Sequence, residues 1–195
     1  MQSPSRVLGS NPSDLQLDEY LKIISSEQTP DPEIKSYPDA VYFNFYSLGL
    51  SLLFTPINGY KPKTGLSRTE LRDRDLVLDS VDTYNNQTKS GSKSGHFSTS
   101  PRQYSLFPAL PISIPKPDNP ESILEVTQNI TGKDFVAFLG EPSRKGGGGG
   151  PTGGSIGIWC EWKAAGIMVE FGGDDSKSWD RGKDAVWSVL TLFRP

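Results

Sequence analysis

A chain of 195 residues with 34% hydrophobic residues, 20 glycines and 16 prolines has material for one domain, or two small units on a shared core, with much of its length in loops. Its formal charge of -3 carries no basic footprint for nucleic acid, and no nucleic-acid partner is expected. A single cysteine, Cys160, and a single histidine, His96, exclude an internal disulfide and a zinc site built from several cysteines.

Residues 1–12 are polar and interrupted by Pro4, Gly9 and Pro12, the composition of a mobile arm. They lack the apolar run of an export signal, and no later window has the length of a membrane span, so the expectation is a cytoplasmic, unsecreted protein. Ser13 and Gln16 have the spacing of a capping box, in which each side chain satisfies the other residue's backbone N–H. Leu17, Tyr20, Leu21 and Ile24 then recur at the helical period until Pro30 and Pro32 end the run.

From Val41 the period changes to two. The stretch VYFNFYSLGLSLLFT, Val41 to Thr55, predicts a hairpin that turns at Leu48-Gly49. Val41, Phe43, Phe45, Leu50, Leu52 and Phe54 make its core face, and Tyr42, Asn44 and Tyr46 lie on the opposite one. Residues 56–75 read as an insertion in which Ser67 and Glu70 cap a short helical turn, and Leu76 to Tyr84 as a further strand. Residues 85–103, with His96, lack aliphatic side chains and are expected to be disordered. Tyr104 to Ile114, broken by Pro108 and Pro111, suits an edge strand or a strap laid over the core.

Past a proline-rich linker, 115–120, Ser122 to Val126 is expected to begin a helical turn. Thr131 and Asp134 again have capping spacing, and Phe135, Phe138 and Leu139 form an amphipathic turn closed by Gly140 and Pro142. A glycine tract at 146–150 follows, then a second hairpin over Ile158 to Gly172 and a last strand, Val186 to Phe193. Setting Gly49 over Gly166 places Tyr42 over Trp159, Phe45 over Trp162, Leu50 over Ile167, Leu52 over Val169 and Phe54 over Phe171. The last strand shares Ser-Val-x-Thr with the strand that begins at Leu76, through Ser80 and Ser188. The expected fold is therefore α+β: two related helix, hairpin and strand units, 13–114 and 115–195, forming antiparallel sheet with short helices and long loops in one compact domain.

No catalytic constellation accompanies this pattern. Arg144-Lys145 before the glycine tract invites comparison with a phosphate loop, but the lysine precedes the glycines and a strand follows. A weak anion contact is the most these two residues suggest. Asp174, Asp175 and Asp180 lack the spacing of a calcium loop. His96 sits in a polar loop and Cys160 in an apolar strand, so neither a Cys-His nor a Ser-His-Asp site has members. No metal or cofactor is expected. The feature that remains is the row Tyr42, Asn44, Tyr46 with its counterpart Trp159, Glu161, Lys163, aromatic and polar-tipped groups of the kind favoured at protein interfaces. The rival expectation is a small enzyme or ligand carrier with a pocket between sheet and insertions.

Phe43-Asn44-Phe45-Tyr46-Ser47-Leu48-Gly49-Leu50, followed by Leu53-Phe54, resembles the aromatic Leu-Gly hairpin of the phagophore assembly factor (Mytho) family. Leu110-Pro111-Ile112, Leu139-Gly140-Glu141-Pro142 and Gly166 to Phe171 follow in that family's order over Tyr20 to Phe193. The resemblance covers the C-terminal half of such a protein and leaves out the glycine tract. It implies a non-catalytic adaptor in autophagy, paired with a β-propeller protein and recruited to phosphoinositide-bearing membrane. Leu-Gly-x-Pro followed by a W-x-x-x-G rhythm is also similar to small helix-plus-sheet modules of the bacterial outer-membrane assembly lipoprotein type.

Overall fold

In a computed structural model of the chain, residues 3–25, 28–86, 103–147, 157–172 and 182–195 are described. The disordered loop expected at 85–103 falls outside them over 87–102, as do most of the glycine tract and the three aspartates at 174, 175 and 180. The fold is α+β. Its frame is an eight-stranded sheet in which every pairing is antiparallel, in the order β1-β2-β3-β4-β10-β9-β8-β7. The strands are β1 (Glu33–Ser36), β2 (Val41–Phe45), β3 (Leu50–Pro56), β4 (Leu76–Tyr84), β7 (Arg144–Gly146), β8 (Trp159–Trp162), β9 (Ile167–Phe171) and β10 (Trp187–Phe193). A separate ribbon pairs β5 (Ile112–Lys116) with β6 (Asn119–Val126). Two helices complete the described fold, α1 (Leu15–Ile24) and α2 (Gly132–Leu139).

The helical period of Leu17, Tyr20, Leu21 and Ile24 becomes the buried stripe of α1. Its start differs from the expected capping box. Asp14 is the N-cap, its carboxylate accepts the Asn11 N–H at 3.1 Å, and Gln16 instead donates to the Arg6 carbonyl at 2.9 Å. The predicted boxes at Thr131 and Ser67 do form: Asp134 accepts the Thr131 N–H and Glu70 the Ser67 N–H, both at 2.9 Å. Phe135 of α2 packs within 5.8 Å of Trp162 and 6.3 Å of Phe171, ring centre to ring centre. Both helices, the β5-β6 ribbon and the inner face of the large sheet share one hydrophobic core.

The two predicted hairpins are built alike. β2 leads through a 3-10 turn, Tyr46–Leu48, to Gly49 at φ 55, and β8 through Lys163–Ala165 to Gly166 at φ 64. Both glycines take the left-handed conformation that side chains resist. Phe43 pairs with Leu52 as Cys160 pairs with Val169. Each following strand carries one bulge. Leu53 faces Ser80 and Phe54 faces Leu78, leaving Asp79 extra; Glu170 faces Val189 and Phe171 faces Trp187, leaving Ser188 extra. The shared Ser-Val-x-Thr is thus out of step in space, because Ser188 occupies the bulge while Ser80 lies in the ladder. β4 and β10 pair at the centre of the sheet, with Asp82 opposite Thr191.

Two further expectations from the sequence change, and a third is met. Residues 3–12 are not a mobile arm: Val7 is 1% exposed, Gly9 donates to the Leu78 carbonyl and Leu78 donates to that of Ser10, both at 2.8 Å. Ser122 to Val126 extends as β6, and the linker at 115–120 holds the turn of the β5-β6 ribbon, so a unit boundary at 114 would cut through a hairpin. Tyr104 to Ile114 divides into a strap over 104–107 and the strand β5.

Candidate functional site

The register of the sheet places one residue from each strand in a row across its outer face. Glu33, Asn44, Ser51, Asp82, Thr191, Met168, Glu161 and Arg144 are successive partners from edge to edge. Because neighbouring strands lie about 4.8 Å apart, Asn44 and Glu161, five strand steps apart, are separated by about 24 Å. The two predicted groups therefore share a face without forming one site. Tyr42, Asn44 and Tyr46 stand near one side and Trp159, Glu161 and Lys163 near the other.

On the first side the strap closes over the sheet. Ser105 donates its N–H to the Tyr46 carbonyl at 2.8 Å, and Phe107 donates to that of Tyr84 at 2.9 Å. This lays the Tyr104 ring on Tyr84, 3.7 Å away and nearly parallel, and 4.5 Å from Tyr46. The Tyr104 hydroxyl donates to Asn44 Oδ1 at 2.6 Å, and Ser51 Oγ donates to the same oxygen at 2.9 Å. Asn44, 5% exposed, is thus a buried hub that orients its neighbours. Tyr46 reaches Glu33 instead, its hydroxyl donating at 3.4 Å.

These contacts leave an open cleft of about 570 Å³ between the strap, β4 and the β1-β2 turn. Tyr37, Tyr42, Tyr84 and Tyr104 line it with Asp82 and Asp39. Tyr37, 42% exposed, stands at its mouth, edge-on to Tyr42 at 6.3 Å. Burial pushes the Asp82 carboxyl up to about 6, the charge of Glu170 adds to the rise, and a hydrogen bond with Thr191 opposes it. Burial likewise raises the Tyr84 and Tyr104 phenols above their ordinary value. Among the described residues no basic side chain forms an ion pair with Asp82. Lys35, at the rim, lies 3.5 Å from Glu33.

The opposite side is already filled. The Arg144 guanidinium sits 5.7 Å over the Trp159 ring and 3.4 Å from a Glu161 carboxylate oxygen. Lys145, the next residue on edge strand β7, lies 4.0 Å from Glu141 and borders a cavity on the other side of the sheet. The expected anion contact by Arg144 and Lys145 is not assembled, since successive strand residues project to opposite faces. That second cavity, about 520 Å³, lies between α2 and β8. Val136, Ile158, Cys160 and Phe171 line it, and Cys160 is a buried thiol whose pKa burial raises.

Asp82, Tyr84 and Tyr104 are not marked as site residues by the sequence pattern. Strict alternation from Leu76 and Leu78 puts Ser80, Asp82 and Tyr84 on the core face. The bulge at Asp79 shifts the phase, so that Val81 and Thr83 point inward and Asp82 and Tyr84 outward. The signal that could have found them is the change of apolar phase within LVLDSVDTY.

Fold and site together define an α+β module with an antiparallel sheet open on one face. No family model, no curated protein and no solved structure matches the chain. Among the described residues, no group of three or more His, Cys, Asp or Glu is placed to hold a metal ion, and no helix is long and apolar enough to cross a membrane.

Proposed function

We propose that the protein is a non-catalytic interaction module, an adaptor, that binds a protein partner on the outer face of its sheet. The observation that carries this reading is the tyrosine-lined cleft, whose walls are held by the Asn44 hydrogen bonds while its mouth stays open. Rigid aromatic groups with polar tips bury area at little entropic cost, which is what a recognition surface requires. The resemblance of the first hairpin adds a β-propeller partner and recruitment to phosphoinositide-bearing membrane, in the cytoplasm, to the same proposal. The test is quantitative affinity capture with Tyr42→Ala and Trp159→Ala, each checked for folding by circular dichroism. A partner retained by the parent protein and lost with Tyr42→Ala is expected; identical capture by parent and both variants overturns the reading.

The cavity between α2 and β8 favours a second reading, a carrier for a small apolar ligand. Native mass spectrometry of the purified protein separates the two, because a carrier retains a bound small molecule that Ala137→Trp, placed in the cavity wall, expels.

A further inference from the structure

The two halves of the sheet present corresponding positions with different occupants. Trp159 and Glu161 stand on β8 where Tyr42 and Asn44 stand on β2, and Arg144 pairs with Glu161 where Glu33 pairs with Asn44. In the second half a guanidinium covers the aromatic ring and meets a carboxylate. In the first half the aromatic position holds Tyr42, the edge strand offers Glu33 in place of an arginine, and the carboxylate moves two strands inward to Asp82.

Among the described residues, the first half therefore keeps the acceptors, and no cation stands over Tyr42 as Arg144 stands over Trp159. Asp82 and Asp39 border the cleft, and Glu170 adds negative charge beside Asp82. Lys35, the one lysine lining it among the described residues, sits beside Glu33 at the rim. Aromatic faces next to a desolvated carboxylate favour a planar cation over any anion or apolar group. A guanidinium satisfies both at once: it stacks on a ring and presents paired N–H donors to a carboxylate. Within the cleft the same carboxylates disfavour a phosphate group, so any membrane contact of the protein lies elsewhere on its surface.

We propose that the cleft bounded by Tyr42, Tyr84, Tyr104 and Asp82 receives an arginine side chain from a partner protein, as Trp159 and Glu161 receive Arg144 within the chain. This inference rests on the interaction reading above and names the chemistry of its partner. The arginine enters past Tyr37, lies along the Tyr42 and Tyr104 rings and directs its guanidinium toward Asp82.

The experiment is a titration of the isotopically labelled protein, followed by its backbone amide resonances, with an acetylated and amidated Gly-Gly-Arg-Gly-Gly peptide. The same peptide carrying citrulline, which keeps the shape without the charge, is the control. Saturable shifts at Tyr42, Asn44, Ser51, Asp82 and Tyr84 are expected, with binding weakened about tenfold or more by citrulline or by Asp82→Asn. Arg144→Ala should create a second set of shifts, at Trp159 and Glu161, because it vacates the corresponding position. Equal binding of the citrulline peptide, or no saturable shift at the cleft, overturns the proposal. If the peptide fails while Tyr42→Ala still abolishes partner capture, the arginine inference falls and the interaction reading stands. If the peptide binds the cleft while both variants capture normally, the guanidinium site stands and the interaction reading falls.

Discussion

Replacing Asp82 with asparagine tests the electrostatics of the outer face directly. The carboxyl sits on the central strand β4 with Thr191 as its hydrogen-bond partner, and Glu170, Tyr84 and Tyr104 carry the titratable groups around it. Lys35 and Asp39 stand farther out, at the mouth of the cleft. Burial lifts the Asp82 pKa from an ordinary 3.8 to about 6, so between these values the folded chain holds a proton that the unfolded chain releases. Stability is therefore greatest at the acid end of this window and is lost as pH rises through it. A tenfold difference in proton affinity between the folded and unfolded chain is worth about 1.4 kcal/mol, so the loss amounts to about 2 to 3 kcal/mol once Asp82 is fully ionised. Asparagine resembles the protonated acid and carries no charge at any pH. Urea unfolding of parent and Asp82→Asn across pH about 4 to 7 should show converging stabilities at the acid end and an advantage for the variant at neutral pH. Parallel pH profiles for the two proteins would refute the assignment of a buried carboxyl whose pKa is raised by burial. An arginine in the cleft should act in the opposite direction, favouring the ionised form, so peptide binding should weaken as pH falls below about 6.

Three further outcomes follow from the packing. Tyr20 buries its hydroxyl with no hydrogen-bond partner among the described residues, so Tyr20→Phe should be neutral or stabilising by about 1 kcal/mol in urea unfolding. Gly49 and Gly59 both have positive φ, 55 and 73, but a Cβ at Gly49 would come within 2.2 Å of the Ser105 carbonyl oxygen and one at Gly59 would meet nothing within 4 Å. Gly59→Ala should therefore cost about 1 kcal/mol, and Gly49→Ala more than about 3 kcal/mol, displacing the strap and with it the Tyr104 ring, visible in the near-ultraviolet circular dichroism. The Trp162 indole donates to the Gly140 carbonyl at 2.8 Å, closing the end of α2; Trp162→Phe removes that donor and should cost about 1 kcal/mol or more by thermal unfolding.

The hairpins at Gly49 and Gly166 were legible because their signals are local. Alternation assigns the face of each side chain, and a glycine marks the point where the chain takes a left-handed turn. The stripe on α1 and the capping pairs at Thr131 and Ser67 were legible for the same reason. The row Tyr42, Asn44 and Trp159, Glu161 was found on a single face, yet its two ends proved to be about 24 Å apart. Periodicity within a strand says nothing of how many strands intervene. Asp82 and Tyr84 were hidden by one inserted residue, Asp79, which reverses the face of everything after it.

The amino-acid order by itself determined the α+β class, the two hairpins with their turn glycines and the inward set Phe43, Phe45, Leu50, Leu52 and Phe54, because each depends on spacing within about ten residues. Only the tertiary structure decided that β4 and β10 join the two halves into one sheet, that Val7 enters the core while Gly9 and Ser10 are hydrogen-bonded to Leu78, and that the strap brings Tyr104 onto Asn44. It also decided that Arg144 is held by Trp159 and Glu161 while Asp82 has no basic partner of that kind among the described residues. These outcomes turn on pairings between residues tens of positions apart, whose geometry is set by the packing of the whole core and by bulges that no local period announces.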